Sequence, residues 1–290
     1  MTDFTYAEMT TRNLGFVTEA EQARLRESCV FVCGTGGMGG AAVMSLIRAG
    51  VGRLILVDID RFEVSNLNRQ LFATLKTIDA PKAEATRDAC LSINPEARIE
   101  VLGPDWTGQV RRLVSEAGVV INGCDDPGAT LLLYRTARAA GKRVIDAYAA
   151  PLPSVYVTDA TDPMPEERLG YPTIGTEWDK LTEDQVAAAA LAEAEHVLTH
   201  SSSRKHVDLA LAGEVVAGTR SRMSFAPMVI MAGTLMAGEA LNAVLGRPRG
   251  AECRGWFLNP HRGKIEHPLP APLAALLRPL VRREIRKLLG

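Results

Sequence analysis

A chain of 290 residues that is 47 % apolar can bury a sizeable core, as one large α/β domain or two small ones. Its formal net charge of −1 provides no global field to select for nucleic acid or an acidic partner. Five cysteines without a CxxC pair, and a polar start (MTDFTYAEMTTRNLG), point to reduced thiols in a cytoplasmic protein and argue against a signal peptide.

In chain order, Thr18 to Arg26 reads as a helix with a Thr18/Glu21 capping box. Val30 to Cys33 is a buried strand, GTGGMGG at 34–40 a glycine-rich turn, and Ala41 to Ala49 a helix. Arg53 to Val57 is a second strand that ends at Asp58. A helix is expected over Ile78 to Ile93, a strand over Arg98 to Leu102, and a helix over Trp106 to Glu116. Val119 to Asn122 is a strand entering the GCDDPG turn, followed by a helix to Ala140 and a fifth strand, Arg143 to Ala147. This alternation implies a mostly parallel, Rossmann-like α/β sheet flanked by helices.

After residue 150 the alternation breaks. Ser154 to Thr158 reads as a strand, and Asp159 to Asp179 as a lid, binding loop or disordered segment. Glu183 to Leu198 is an alanine-rich helix, His200 to Arg204 a polar linker, and Pro227 to Leu245 a long apolar helix. The apolar run Met223–Gly238, broken by Pro227 and glycines, suits a buried helix or subunit interface better than a membrane span. Trp256 to Leu258 and Lys264 to Glu266 form a terminal hairpin, and Leu273 to Leu289 a basic helical tail interrupted by Pro279. The expected divisions are an N-terminal arm and helix (1–28), a nucleotide-binding half (29–150), an irregular acceptor-side half of the same domain (151–270) and the basic helix (271–290).

Strand, glycine turn, helix, strand and terminal acid make a nucleotide site: the turn admits close backbone approach, and the helix start faces phosphates with free N–H groups. The turn alone also suits NAD, FAD or a simple tight bend. Asp58, nineteen positions after Gly39, can accept hydrogen bonds from a ribose. DIDRFEVSNLNRQ (58–70) concentrates Asp58, Asp60, Asn66, Asn68, Arg69 and Gln70 at the carboxyl end of the sheet. Arg69 and Lys82 can reach phosphates, and Asp126, otherwise a helix N-cap, is placed to hold Mg²⁺. His196 and His200 are expected to be exposed rather than zinc ligands. Cys124, beside Asp125 and Asp126, is expected to be a buried turn residue rather than a nucleophile.

GTGGMGG, DIDRFEVSNLNRQ, PKAEATRDACLSINP and GCDDP together resemble the adenylating domain of the ThiF/MoeB/HesA family, relatives of ubiquitin-activating enzymes. The resemblance is strong over 10–150 and weaker to about 265. It implies that Mg·ATP adenylates a carboxylate, usually the C-terminal glycine of a ubiquitin-like or sulfur-carrier protein. It implies that Gly34, Gly36, Gly37 and Gly39 form the nucleotide turn and that Asp58 binds ribose; Asp60, from the same polar loop, is a further cofactor-binding candidate. It implies that Asn66, Arg69 and Lys82 contact phosphates and that Asp126 holds Mg²⁺. Arg12 matches an arginine that reaches across a homodimer to the partner's ATP.

Two departures narrow the expectation. The zinc CxxC pairs of many members are missing, so no structural zinc is expected, and no cysteine lies between Cys124 and Cys253 to carry an acyl group. Other readings are adenylation of a small molecule or a modified tRNA base (as in threonylcarbamoyladenosine dehydration), a non-catalytic partner subunit, and an NAD-dependent oxidoreductase. RNA is the less favoured partner, and no membrane role is expected.

Overall fold

The structure, a computed structural model, describes residues 4–148, 150–216 and 219–289. The N-terminal part runs α1 (Tyr6–Thr10), α2 (Glu19–Glu27), β1 (Cys29–Cys33), α3 (Gly37–Ala49), β2 (Arg53–Val57) and α4 (Lys82–Leu91). It continues with β3 (Arg98–Leu102), α5 (Trp106–Glu116), β4 (Val119–Asn122), α6 (Pro127–Ala139) and β5 (Val144–Asp146). Then follow β6 (Ser154–Thr158), α7 (Pro165–Leu169), α8 (Glu183–His200), α9 (Leu209–Val216), α10 (Ala226–Leu245), β7 (Trp256–Asn259), β8 (Lys264–Glu266) and α11 (Ala271–Leu289).

The strands form one eight-stranded sheet in the order β3-β2-β1-β4-β5-β6-β7-β8. The first five are parallel and the last three antiparallel. In register, Val30 faces Leu54 on one side and Val119 on the other. The runs VFVC, LILV and VVIN are continuously apolar because both faces of the parallel strands are covered. Val30, Val32, Leu54, Leu56, Val119 and Ile121 pack beneath α3 and α10, while Phe31, Cys33, Ile55, Val57 and Val120 meet α5 and α6. Helix α10 is long and apolar enough to cross a membrane by length and composition, yet it contributes Ala232, Met236, Ala237 and Ala240 to this core. Its Gly233 lies so close to α3 that a Cβ there would meet the Met38 carbonyl oxygen at 2.2 Å.

Several boundaries differ from the sequence expectation. Helix α3 starts at Gly37, four residues before Ala41, because the glycine turn is itself the first helical turn: the Gly40 N–H donates to the Gly36 carbonyl. Helix α4 starts at Lys82 rather than Ile78, since Asp79 has φ +64° and Pro81 disfavours helical backbone at Ala80. Pro279 does not interrupt α11; burial of Ala274, Val281 and Ile285 carries the helix through it. Segment 159–179 holds α7, clamped by arginines of α6. Helices α1 and α9 have no counterpart in the expectation, and the polar linker after α8 includes a short 3-10 turn, Ser203–Lys205.

Candidate functional site

The chain leaves β1 toward β2 and β3, then returns through β4 on the opposite side, so the crevice beyond the carboxyl ends of β1 and β4 is the topological switch point where such sheets bind ligands. Two glycines shape it. Gly34 has φ +89°, and a Cβ there would stand 2.4 Å from the Gly123 carbonyl carbon. A Cβ on Gly39 would stand 1.8 Å from the Gly34 carbonyl oxygen. The Gly34 N–H donates to the Val57 carbonyl and the Gly123 N–H to the Cys33 carbonyl, so the ladder extends into both turns. Gly36 and Gly37 are bounded by side chains instead: Gln70 for the first, Val229 of α10 and Arg69 for the second.

Asp58 leaves β2 against this turn. Its Oδ2 accepts from the Thr35 amide at 2.7 Å and from the Thr35 hydroxyl at 3.1 Å, and its Oδ1 from the Asp60 amide at 3.0 Å. Burial pushes its pKa upward, opposed by these donors. Thr35, unremarked between two glycines in the sequence, thus ties the acid to the turn.

The 58–70 segment is pinned to the start of α4 by Lys82 N–H donating to Asp60 O and Phe62 N–H to Ala80 O. This brings Lys82 Nζ to 2.9 Å from Asp60 Oδ2, with the lysine side chain 9 % exposed and the aspartate 61 %. The ammonium is therefore nearly enclosed, with its exposed partner on the solvent side. Asn66 is buried and staples its own loop: its amide oxygen accepts from the Glu63 N–H and its Nδ2 donates to Ser65 Oγ. Arg69, half-buried, donates to the Ser65 carbonyl and to Asn68 Oδ1, while Asn68 Nδ2 donates to the Ser224 carbonyl just before α10. Gln70 is buried with its Oε1 unpartnered.

Asp126 caps α6, its Oδ1 accepting from the Ala129 N–H at 2.6 Å, and Pro127 opens the helix. The cap uses one carboxylate oxygen; the residue is exposed, and its other oxygen makes no hydrogen bond among the described residues. Asp125 is exposed and lies 4.0 Å from Arg222. Cys124 is half-buried rather than buried, and its thiol donates to Asn122 Oδ1. Contact with Cys124 and complete burial push the Cys33 thiol up, so it stays protonated.

The fold therefore gathers the glycine turn, Asp58, Asp60, Asn66, Arg69, Lys82 and Asp126 around one end of the sheet. Arg12 stands apart, exposed on the 3-10 turn Thr11–Asn13 and making no hydrogen bond or ion pair among the described residues. The expectation of exposed histidines fails: His196 and His200 are 6 % and 5 % exposed, because α8 turns that face onto Tyr148 and Tyr156. Burial pushes them down to about 2 and about 4, so both are neutral, and the His200 Nδ1 accepts from the Leu269 N–H. Among the described residues no group of three or more His, Cys, Asp or Glu could hold a metal. Sequence reasoning also missed Asp146 at the end of β5, buried and bound by Asn122 Nδ2, Tyr134 Oη and the Ala147 N–H. An acid inside an apolar strand offers no periodic signal.

Three comparisons bear on this geometry. A family model described as the ThiF family matches residues 10–269. The chain is 37 % identical over 110 residues to the sulfur carrier protein ThiS adenylyltransferase of Escherichia coli, covering 38 % of this chain and 43 % of that protein. It is 42 % identical over 83 residues to the tRNA threonylcarbamoyladenosine dehydratase of Bacillus subtilis, covering 29 % and 33 %. The matched segments thus span less than half the length of these curated relatives. In fold it resembles the crystal structure of E. coli MccB with ATP (TM-score 0.61, 17 % identity, 85 % of this chain and 65 % of that one). It also resembles that of PaaA (TM-score 0.58, 19 % identity, 90 % and 78 %). With its match running through both halves of the sheet, the chain belongs to the ThiF family.

Proposed function

We propose that this chain is an ATP- and Mg²⁺-dependent adenylyltransferase that activates a carboxylate, with the C-terminal glycine of a ubiquitin-like or sulfur-carrier protein as its leading acceptor. The observation that carries the reading is the single sheet edge that combines the Gly34–Gly39–Gly123 interlock with the Lys82–Asp60 pair and the capping Asp126. Membership of the family supports the same chemistry.

In this reading an oxygen of the acceptor carboxylate attacks the α-phosphorus of ATP. A P–O bond forms to give the acyl adenylate, and the bond to the β-phosphate oxygen breaks with its electron pair leaving on pyrophosphate. The carboxylate is already ionised at neutral pH, so no general base is required. The difficulty is anion meeting anion, and positioned cations do most to lower that barrier. Lys82 and Arg69 serve the phosphates, Asp58 the ribose, and the N–H groups opening α3 face the phosphate chain. The free oxygen of Asp126 is a hard donor that suits Mg²⁺, which would offset charge on the phosphates. Arg12 is assigned to the nucleotide of a second copy in a cytoplasmic homodimer.

The test is ATP–pyrophosphate exchange with a small carrier protein ending in Gly-Gly. Exchange that needs Mg²⁺ and the free carboxyl terminus supports the reading, and Lys82→Ala or Arg69→Ala should lower it by about 10²–10³. Stabilisation by NAD alone would sink it in favour of an oxidoreductase. ATP binding without exchange for any acceptor would favour a partner subunit.

A second reading, action on a modified tRNA base, is favoured by the charge distribution. Residues 200–290 hold 14 Lys and Arg against 6 Asp and Glu, despite the near-neutral whole. A tRNA complex that weakens steeply with salt would bring that reading forward.

A further inference from the structure

Beyond Asp146 the chain enters a buried polar cluster that the nucleotide chemistry leaves unused. Arg168, on α7, points into it. Its Nη2 donates to Tyr148 Oη at 2.8 Å, and its Cζ lies 5.7 Å from the centre of the Tyr156 ring. Its Nε and Nη1 are buried without a hydrogen-bond partner. The Tyr156 hydroxyl is likewise buried and unpartnered, in a residue 1 % exposed, and so is His196 Nε2. The rings lie together: Tyr148 and Tyr156 at 4.3 Å, and His196 within 5.9 Å of Tyr156.

Unpartnered buried donors are costly, and those of a guanidinium more so. Asp146 and Glu193 feel its charge, but neither hydrogen-bonds it among the described residues. Asp146 is engaged by Asn122, Tyr134 and Ala147, and Glu193 by the Tyr171 hydroxyl. What the guanidinium lacks is a partner with at least two acceptor lone pairs for its Nε and Nη1. A carboxylate meets that description, and a guanidinium fork with an adjacent hydroxyl is well matched to it.

We infer that Arg168 and Tyr156 form a seat for the carboxylate of the acceptor, past the end of β5 and on the same edge of the sheet as the nucleotide turn. The inference rests on the adenylation reading and adds the residues that select the acceptor. Entry requires α7 to lift, carrying Arg168 with it, and the seat is completed when α7 settles back over the carboxylate. This five-residue helix ends at Gly170 with φ +71°, and it is held to α6 by the ion pairs Arg135–Glu166 and Arg138–Glu167 rather than by a strand ladder. The shared chemistry, a terminal carboxylate, can come from a peptide end or from a small free acid.

The experiment measures binding of N-acetylglycylglycine, its C-terminal amide and acetate by calorimetry, on the full chain saturated with a non-hydrolysable ATP analogue and Mg²⁺. Binding of the analogue is recorded first, so failure of the nucleotide reading shows separately. The dipeptide should bind at least tenfold tighter than its amide. Arg168→Gln should remove that preference, and Arg168→Lys should recover part of it. Tyr156→Phe should weaken the dipeptide three- to tenfold while leaving the melting temperature of the free protein undiminished, because the hydroxyl it removes has no partner. Dipeptide binding without acetate binding marks a peptide end as the source; both binding marks a small acid. Equal affinity for carboxylate and amide, wild-type affinity in Arg168→Gln, or no carboxylate bound by protein that holds the analogue would overturn the inference.

Discussion

The nucleotide turn and the α7 segment are built by different means. Around β1, β2 and β4, backbone lies against backbone: glycines bring turns within van der Waals reach, and parallel ladders run into them. Around α7, side chains do the holding. Arg135 and Arg138 reach from α6 to Glu166 and Glu167, and Arg143 and Arg249 reach to Asp159. Backbone contacts of the first kind accept no substitution and no movement. Ion pairs of the second kind can break and reform, which suits a segment that must admit an acceptor.

The largest expected effect tests the rigid turn. Gly39→Ala places a methyl group 1.8 Å from a carbonyl oxygen, so denaturant unfolding should show a loss of more than about 4 kcal/mol, or no folded protein. A variant within about 1 kcal/mol of wild type would mean that the turn yields. At Asp126, cap and metal roles separate by substitution: Asn should keep the cap yet lose about 100-fold in pyrophosphate exchange, whereas Ala should lose activity and also about 1 kcal/mol. Equal activity of Asn and wild type would leave Asp126 as a cap alone.

The clamped segment should respond more moderately. Arg135→Ala leaves Glu166, whose side chain is 4 % exposed, without its bidentate partner, for a loss of about 3 kcal/mol. Arg135 holds Glu166 below the usual carboxylate range, so the pair's contribution is present at neutral pH and lost as pH falls through that lowered value. Urea melts at pH 7 and pH 3 should therefore show a smaller mutational effect in acid. Asp146 has the opposite sign. Burial raises it to about 6, so its contribution favours the fold in acid and is lost as pH rises from the ordinary carboxylate value through 6. Asp146→Asn should flatten the stability profile between pH 4 and 7 by about 2 kcal/mol. An unchanged slope would mean that Asp146 ionises as freely folded as unfolded. The smallest effect is Thr18→Ala, which removes the capping box of α2 for about 1 kcal/mol in a thermal melt.

The same contrast explains what could be read beforehand. The parallel strands were legible because burial on both faces leaves an unbroken apolar run, and the capping box of α2 because it lies within four residues. Asp58, Arg69, Lys82 and Asp126 stood out by their spacing after strands and turns. The buried state of His196 and His200 was not legible, since it depends on which face α8 turns toward Tyr148 and Tyr156, far away in sequence. Arg168 was hidden for the same reason: a short helix after a Pro-rich loop carries no periodicity, and its burial is decided by β6 and α8. Lys82 was recognised but its partner was not, because Asp60 meets it only through the backbone pairing of two loops.

The seat of Gly233 against the start of α3 has a practical consequence. One groove of α3 is filled by a helix encoded almost two hundred residues downstream, so a protein split at residue 150 would present an uncovered apolar face on each fragment. Neither fragment should be soluble alone, whereas the two co-expressed should reassemble by burying that face. The junction between the halves is thus a natural place to install a split reporter for acceptor binding.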